Sequence, residues 1–248
     1  MRAAPEDHHF HVGVGLFGYL VALSVAVTIT SLVTAVAGYA GTGSEAWPLG
    51  LIVANQALLW LCFLAVVFGA SRWWGTGSLR HDYGLSFRRF DVLGLAGGVV
   101  LQFVFVPALY WVLGPLYRWL FTRTKSSWFD TSQLKESAKS ITGKANGTIG
   151  LIALFVILSI GAPFIEELLF RGLVLRSFQA RNRDSLALVG SAVLFGAGHL
   201  QGLQFPALVM FGLVVGYVAQ RTKRLGPSIF IHMGFNASTT LWLFTHRN

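Results

Sequence analysis

The sequence predicts an all-α protein, a polytopic bundle of about seven transmembrane helices. Three observations lead to this class. Hydrophobic residues make up 54% of the 248-residue chain and charged residues only 12%, whereas soluble domains carry about a quarter charged residues. The mean hydropathy is +0.62. The apolar residues are also concentrated in separate stretches, several of them near the roughly 20 residues that a helix needs to cross a bilayer.

Seven apolar stretches follow one another, and each predicts one span. They cover residues 12–39, 49–70, 92–113, 149–175, 186–200, 203–219 and 227–244. The first exceeds the apolar core of a signal peptide, and Arg2 near its start is offset by Glu6 and Asp7, so we predict an uncleaved helix. A polar segment, 117–147, separates the third and fourth stretches. We expect one membrane domain over residues 1–248.

The charge of the chain favours a lipid partner over a nucleic acid. The formal net charge is +9, but the 19 basic residues are scattered beside the apolar stretches instead of forming one stripe. Membrane topology and attraction to anionic headgroups explain this distribution better. Cys62 is the only cysteine, so an intramolecular disulfide and a cysteine-rich metal site are excluded.

The distribution of Lys and Arg also predicts an orientation. With a cytoplasmic N-terminus, twelve of the 19 basic residues fall on the inner side and the others, including Arg247, on the outer side. Basic residues are enriched in cytoplasmic loops. We therefore predict an integral, multi-pass membrane protein with its N-terminus in the cytoplasm.

Polar and ionisable residues interrupt three of the predicted spans. The fourth contains Glu166, Glu167 and Arg171, the fifth contains His199, and the seventh contains two more polar residues, described below. Ionisable groups at bilayer depth cost several kcal/mol and therefore usually mark functional sites. These spans are the candidates for the functional core, which we place at residues 149–244.

The spacing on the fourth span assigns different roles to its two glutamates. At 100° per residue, Glu167 and Arg171 share a helix face and can pair, whereas Glu166 points elsewhere and stays free. Pro163 removes a backbone hydrogen bond and predicts an irregular helix beside Glu166. Alternatively, the cluster marks the interfacial end of a helix, but the apolar run continues through residues 172–175.

The two histidine spans repeat a four-residue spacing. His199 follows Phe195 by four positions, and Asn236 follows His232 by four, so each pair shares one helix face. Each pair alone also fits ordinary core packing. The three spans together can bring Glu166 and these polar residues to one site.

These residue types suit hydrolysis by an activated water. A glutamate with a histidine can act as general base, and a second histidine with an asparagine amide can stabilise an oxyanion. The sequence contains no Gly-x-Ser-x-Gly elbow, and Cys62 has no positioned partner, so a covalent intermediate is poorly supported. Glu166, His199 and His232 also match the ligand set of a zinc site.

Three short motifs occur in order, each on its own span: Glu166-Glu167-x-x-x-Arg171, Phe195-x-x-x-His199 and His232-x-x-x-Asn236. This set resembles the motifs of the CAAX protease and bacteriocin-processing (CPBP, or Abi) family of intramembrane endopeptidases. The resemblance covers about the last hundred residues. Residues 1–148 offer no specific match beyond their spans.

The resemblance implies a role for each matching residue. Glu166 would activate water with His199, and His232 and Asn236 would stabilise the oxyanion. The remaining motif residues, Glu167 and Arg171, would orient the first motif. The family often carries a metalloprotease label, yet the resemblance to its CAAX-processing members implies a metal-free site. We favour no cofactor, with zinc as the alternative.

Two other classes of function remain open. A transporter or proton-relay protein also places ionisable groups in its spans, and a non-catalytic membrane scaffold could keep the same motifs. Asn236 and an intrahelical Glu167–Arg171 pair suit a fixed site better than a relay. The expected substrate is a peptide or membrane protein: a CAAX-type prenylated C-terminal peptide, an export precursor or a transmembrane protein.

Overall fold

The structure, a computed structural model, describes residues 10–126, 143–144, 147–181 and 183–246. Within these ranges the ordered elements are helices, and none is a strand. The predicted all-α class is confirmed. Arg2, Glu6, Asp7 and Arg247, and most of the polar segment 117–147, lie outside the described residues.

Eight helices follow one another in the described ranges. They are α1 Val12–Val36, α2 Leu49–Trp74, α3 Leu79–Tyr83, α4 Arg89–Thr124, α5 Gly147–Gln179, α6 Asp184–Gly198, α7 Phe205–Thr222 and α8 Gly226–Thr245. Every predicted span lies on one of these helices, and the short α3 was not predicted. The helices α1, α2, α4, α5 and α7 are long and apolar enough to cross a membrane. The count of seven spans stays a prediction because α6 has 15 residues and α8 is not among the helices apolar enough to cross.

The centre of the bundle is the second half of α5. All residues of its segment Leu168–Val174 are buried, and α1, α2, α6 and α8 pack around this helix. In contrast, α1 and α4 expose large apolar side chains such as Phe17, Trp111 and Val104. Exposed apolar surface of this extent fits a lipid environment better than water. The polar motif residues of α5 are therefore placed at the protein interior.

Pairs of glycines allow the helices that carry the motifs to pack closely. A Cβ on Gly98 of α4 would collide with the backbone of Ile231 and Phe235, and a Cβ on Gly234 of α8 would collide with the backbone of Leu95. These glycines therefore bring α4 and α8 into backbone contact, as small residues do between membrane helices. The contact fixes the part of α8 that carries the third motif.

The helices α6 and α7 pack closely through Gly212 and Gly216 of α7. A Cβ on Gly212 would approach Ala192 of α6 to 3.1 Å, and one on Gly216 would meet Leu188 of the same helix at 2.6 Å. The partner of α7 is thus α6, the helix that leads to the second motif.

The turn between α7 and α8 is tied to the N-terminal half of the chain. The guanidinium of Arg224 donates two hydrogen bonds to the Asp91 carboxylate, at 2.8 and 3.0 Å. The backbone N–H of Leu225 donates to the carbonyl of Gly84 at 2.9 Å. Because paired hydrogen bonds to a carboxylate restrict orientation as well as distance, these contacts fix the start of α8.

Candidate active site

Glu166 and Glu167 are neighbours on α5 but lie in different surroundings. The Glu167 side chain is 0% exposed, and the Glu166 side chain is 18% exposed. Glu167 Oε1 forms an ion pair with Arg171 Nη1 at 3.0 Å, as the four-residue spacing predicts. Glu166 takes no part in this pair, so its carboxylate is available for chemistry.

Arg171 is buried inside the protein, contrary to the alternative that the cluster marks an interfacial helix end. Its side chain is 1% exposed, and its guanidinium carbon lies 4.3 Å from the centre of the Phe195 ring. Its Nη2 donates to the Gly212 carbonyl at 3.4 Å. The cation is thus held by a carboxylate, an aromatic ring and a backbone carbonyl from three helices.

His232 on α8 connects the two glutamates. Its Nδ1 donates to Glu167 Oε1 at 2.9 Å, and its Nε2 lies 3.7 Å from Glu166 Oε2. The ring packs against Phe211 and Phe195, with centroid distances of 4.8 and 5.8 Å. Because Nδ1 is the donor to Glu167, Nε2 accepts in the neutral ring and donates only in the imidazolium. The 3.7 Å separation exceeds a hydrogen bond, and one water can bond both atoms.

The link between Glu167 and His232 was missed by the sequence analysis, which assigned Glu167 only to Arg171. The two residues lie on different helices and are 65 positions apart. The pattern within one helix cannot reveal such a contact. The structure therefore gives Glu167 a second partner and makes it the centre of an Arg171–Glu167–His232 network.

Asn236 is held by an irregularity in α5. The helix is π-helical over Ile157–Gly161, where the N–H of Ala162 donates to the carbonyl of Ile157. In this register the carbonyl of Leu158 would accept from residue 163, which is a proline without an N–H. Asn236 Nδ2 instead donates to that carbonyl at 2.9 Å. The irregularity expected from Pro163 is thus a π-helical segment. Asn236 of the seventh span supplies the hydrogen-bond donor that this segment lacks.

The π-helical contact leaves Asn236 with one further donor. An asparagine amide carries two N–H donors, of which the bond to the Leu158 carbonyl uses one. Asn236 is half-buried. The oxyanion role predicted for Asn236 therefore depends on its second N–H and stays a prediction.

His199 lies at the end of α6 and not within a helix that continues through it. The helix ends at Gly198, and Leu200 adopts a positive φ of 53°. The predicted pairing with Phe195 is present, because the ring centroids are 4.8 Å apart and His199 Nδ1 lies 2.8 Å from the Phe195 carbonyl. With Nδ1 donating to that carbonyl, Nε2 is left as an acceptor.

His199 and His232 both contact the ring of Phe195, so the second and third motifs meet at this residue. In the described part of the chain, however, no hydrogen bond or ion pair joins His199 to Glu166. Glu166 and His199, which were predicted to act together as general base, are therefore not in direct contact. A water or a substrate group would have to lie between them.

The alternative zinc site can be compared with this geometry. Across the described ranges, no three His, Cys, Asp or Glu side chains are close enough to hold one metal ion. Glu166, His199 and His232 as placed thus do not form the three-ligand set of a catalytic zinc.

An apolar cavity lies beside the second motif. Its volume is about 580 Å³, and it is bounded by α4 and by the chain from the end of α6 to the start of α7. Gly196, Ala197 and Leu200, which surround His199 in sequence, form part of its wall. Leu113 and Leu120 of α4 face them. An apolar group of a substrate could therefore rest next to His199.

The fold and the site define the class: an integral membrane protein built of helices, with carboxylate and imidazole groups held between α5, α6 and α8. The family model of type II CAAX prenyl endopeptidases, Rce1-like, matches residues 148–238. This match supports the CPBP family that the three motifs resemble, a family of intramembrane endopeptidases. No curated protein and no solved structure matches the chain.

Proposed function

We propose that the protein is an intramembrane endopeptidase in which Glu166 activates the attacking water. The observation that carries this proposal is the contrast between the two glutamates. Glu167 is fully buried and engaged by Arg171 and His232, whereas Glu166 is partly exposed and faces His232 Nε2. A general base needs an unengaged carboxylate next to groups that can hold the water.

The reaction balances with these side chains and one water. Glu166 accepts a proton from the water as its oxygen attacks the carbonyl carbon, and a tetrahedral oxyanion forms. Glu166 then returns the proton to the leaving nitrogen as the C–N bond breaks. The products are a new carboxyl and a new amine, and no covalent enzyme intermediate is needed.

The histidines and Asn236 would assist at two points. His199 Nε2, left as an acceptor by the Nδ1 contact, can receive a hydrogen bond from the water. His232, whose Nδ1 is held by Glu167, can donate from Nε2 to the oxyanion when the ring carries both protons. The second N–H of Asn236 would add a further donor. We propose that these groups work without a metal.

The apolar cavity supports a substrate with an apolar group near the cleaved bond. A family of CAAX prenyl endopeptidases matches this chain, so we propose a prenylated CAAX-type peptide as the first substrate to test, ahead of an export precursor or a transmembrane segment. Cytoplasmic access of such a peptide would agree with a cytoplasmic N-terminus, which we retain as part of the proposal.

The test is hydrolysis of a farnesylated CAAX-type peptide by the purified protein in liposomes, with mass spectrometry of the products. Leu113→Trp would fill the cavity and should raise KM at least several-fold for the farnesylated peptide. The control, Val104→Trp, changes an exposed residue of the same helix and should leave KM unchanged. Equal KM values for both variants would contradict the proposed binding of the apolar group.

A further inference from the structure

Tyr19 of α1 is a buried tyrosine that none of the three motifs contains, and it lies outside the matched residues 148–238. It is 3% exposed. Its ring contacts Phe63 of α2 and Phe170 of α5, with centroid distances of 6.1 and 5.3 Å. Phe170 in turn packs edge-on against Phe195 at 5.2 Å. A row of aromatic rings thus fixes Tyr19 relative to the second motif.

The hydroxyl of Tyr19 lies beside the second motif. It lies so close to Gly198, the residue before His199, that a Cβ at position 198 would collide with the hydroxyl oxygen. It is also near enough to Glu166 to interact electrostatically with that carboxylate. Tyr19 is thus next to the residue before His199 and within electrostatic reach of Glu166.

This hydroxyl differs from those of Tyr83, which is buried, and Tyr110, which is half-buried. Tyr83 donates to the Val67 carbonyl and Tyr110 donates to the Leu203 carbonyl, each at 2.6 Å. Within the described residues, no protein group forms a hydrogen bond with the Tyr19 hydroxyl. The Tyr19 oxygen is not one of the fully buried, unpaired side-chain atoms of the described residues, so a water can reach it. The hydroxyl beside Glu166 is therefore suited to bond a water or a substrate group.

We propose that Tyr19 is a catalytic residue whose hydroxyl hydrogen-bonds the water that Glu166 activates. This inference rests on the proposed function. It makes α1, which the family model does not match, a part of the active site. Gly198 is then required because any side chain at this position would displace the hydroxyl from the water.

The test compares Tyr19→Phe with Tyr83→Phe on the farnesylated CAAX-type peptide. Tyr19→Phe should lower kcat on the order of tenfold, the effect of one lost hydrogen bond, with KM and Tm unchanged. Tyr83→Phe removes a structural hydrogen bond and should lower Tm while kcat of the folded enzyme stays at the wild-type value. Gly198→Ala should lower kcat in the same way as Tyr19→Phe because it displaces the hydroxyl.

Glu166→Gln, measured in parallel, distinguishes a failure of the proposed Tyr19 role from a failure of the proposed function. If Glu166→Gln is inactive and Tyr19→Phe has wild-type kcat, or loses activity only in proportion to Tm, the role of Tyr19 is wrong and the proposed function stands. If Glu166→Gln is active, or if the wild type does not cleave the peptide, the proposed function fails and the role of Tyr19 fails with it.

Discussion

Glu167 of α5 accepts a hydrogen bond from Nδ1 of His232 on α8 at 2.9 Å. The same oxygen of Glu167 pairs with Arg171 at 3.0 Å. One buried carboxylate therefore determines which nitrogen of His232 faces Glu166, and it does so across two helices. The second glutamate of the motif thus holds the imidazole, while the first lies 3.7 Å from its other nitrogen.

Arg171→Ala should destabilise the protein much more than Glu166→Gln does. It leaves the Glu167 carboxylate buried without its cation, a loss of about 3–5 kcal/mol for a broken buried pair. Folded yield and Tm in detergent measure this. The exposed Arg72→Ala serves as control and should be neutral. If Arg171→Ala were as stable as the wild type, the Arg171 guanidinium of the wild type would be stabilised by water and not by Glu167.

Gly98→Ala should lower both Tm and activity, whereas Gly97→Ala should change neither. A Cβ at 98 meets the backbone of α8, which cannot move aside, but a Cβ at 97 meets only Ile231 Cγ1 at the ordinary distance of 3.7 Å. The two substitutions add the same methyl group at adjacent positions of one helix. Equal Tm values for the two variants would contradict the backbone contact between α4 and α8.

Asn236→Ala should lower Tm and kcat for two separate reasons. The Leu158 carbonyl loses its donor, which costs about 1–3 kcal/mol, and the oxyanion loses a donor worth about 10²–10³ in rate. Pro163→Ala would restore an N–H opposite that carbonyl. In the double variant we therefore expect Tm to recover and kcat to stay low. Recovery of kcat together with Tm would show that Asn236 acts only on the helix.

His199→Ala and His232→Ala should each lower kcat, and neither effect should involve a metal. Elemental analysis of the purified, active wild type should show no stoichiometric zinc, and a chelator should leave its rate unchanged. If zinc were bound by Glu166 with the two histidines, both variants would lose it, since a site with one ligand missing holds metal poorly. Zinc that tracks with activity would overturn the metal-free mechanism.

The sequence predicted the features that depend on one helix at a time. The apolar stretches located the spans, and the four-residue spacing predicted the Glu167–Arg171 pair and the contact of Phe195 with His199. Contacts between helices could not be predicted in this way. The hydrogen bond from His232 to Glu167 and the position of Tyr19 depend on how α1, α5 and α8 pack, which no local period encodes.

Two local features were also beyond the sequence pattern. Pro163 predicted an irregularity, but the π-helical register that leaves the Leu158 carbonyl to Asn236 depends on the neighbouring helix α8. His199 was predicted within an apolar span, yet the helix ends just before it. Leu200, the apolar residue after His199, lines a cavity and does not continue the helix. Hydropathy alone therefore does not mark the end of α6.

The central claim is that the Glu166 carboxylate activates the water, and turnover by Glu166→Gln tests it most directly. The substitution keeps the size of the side chain and removes the base. Measured in liposomes on the farnesylated peptide, kcat should fall by roughly 10²–10⁴, with yield and Tm as in the wild type. Turnover close to the wild-type rate by the correctly folded Glu166→Gln protein would contradict the account.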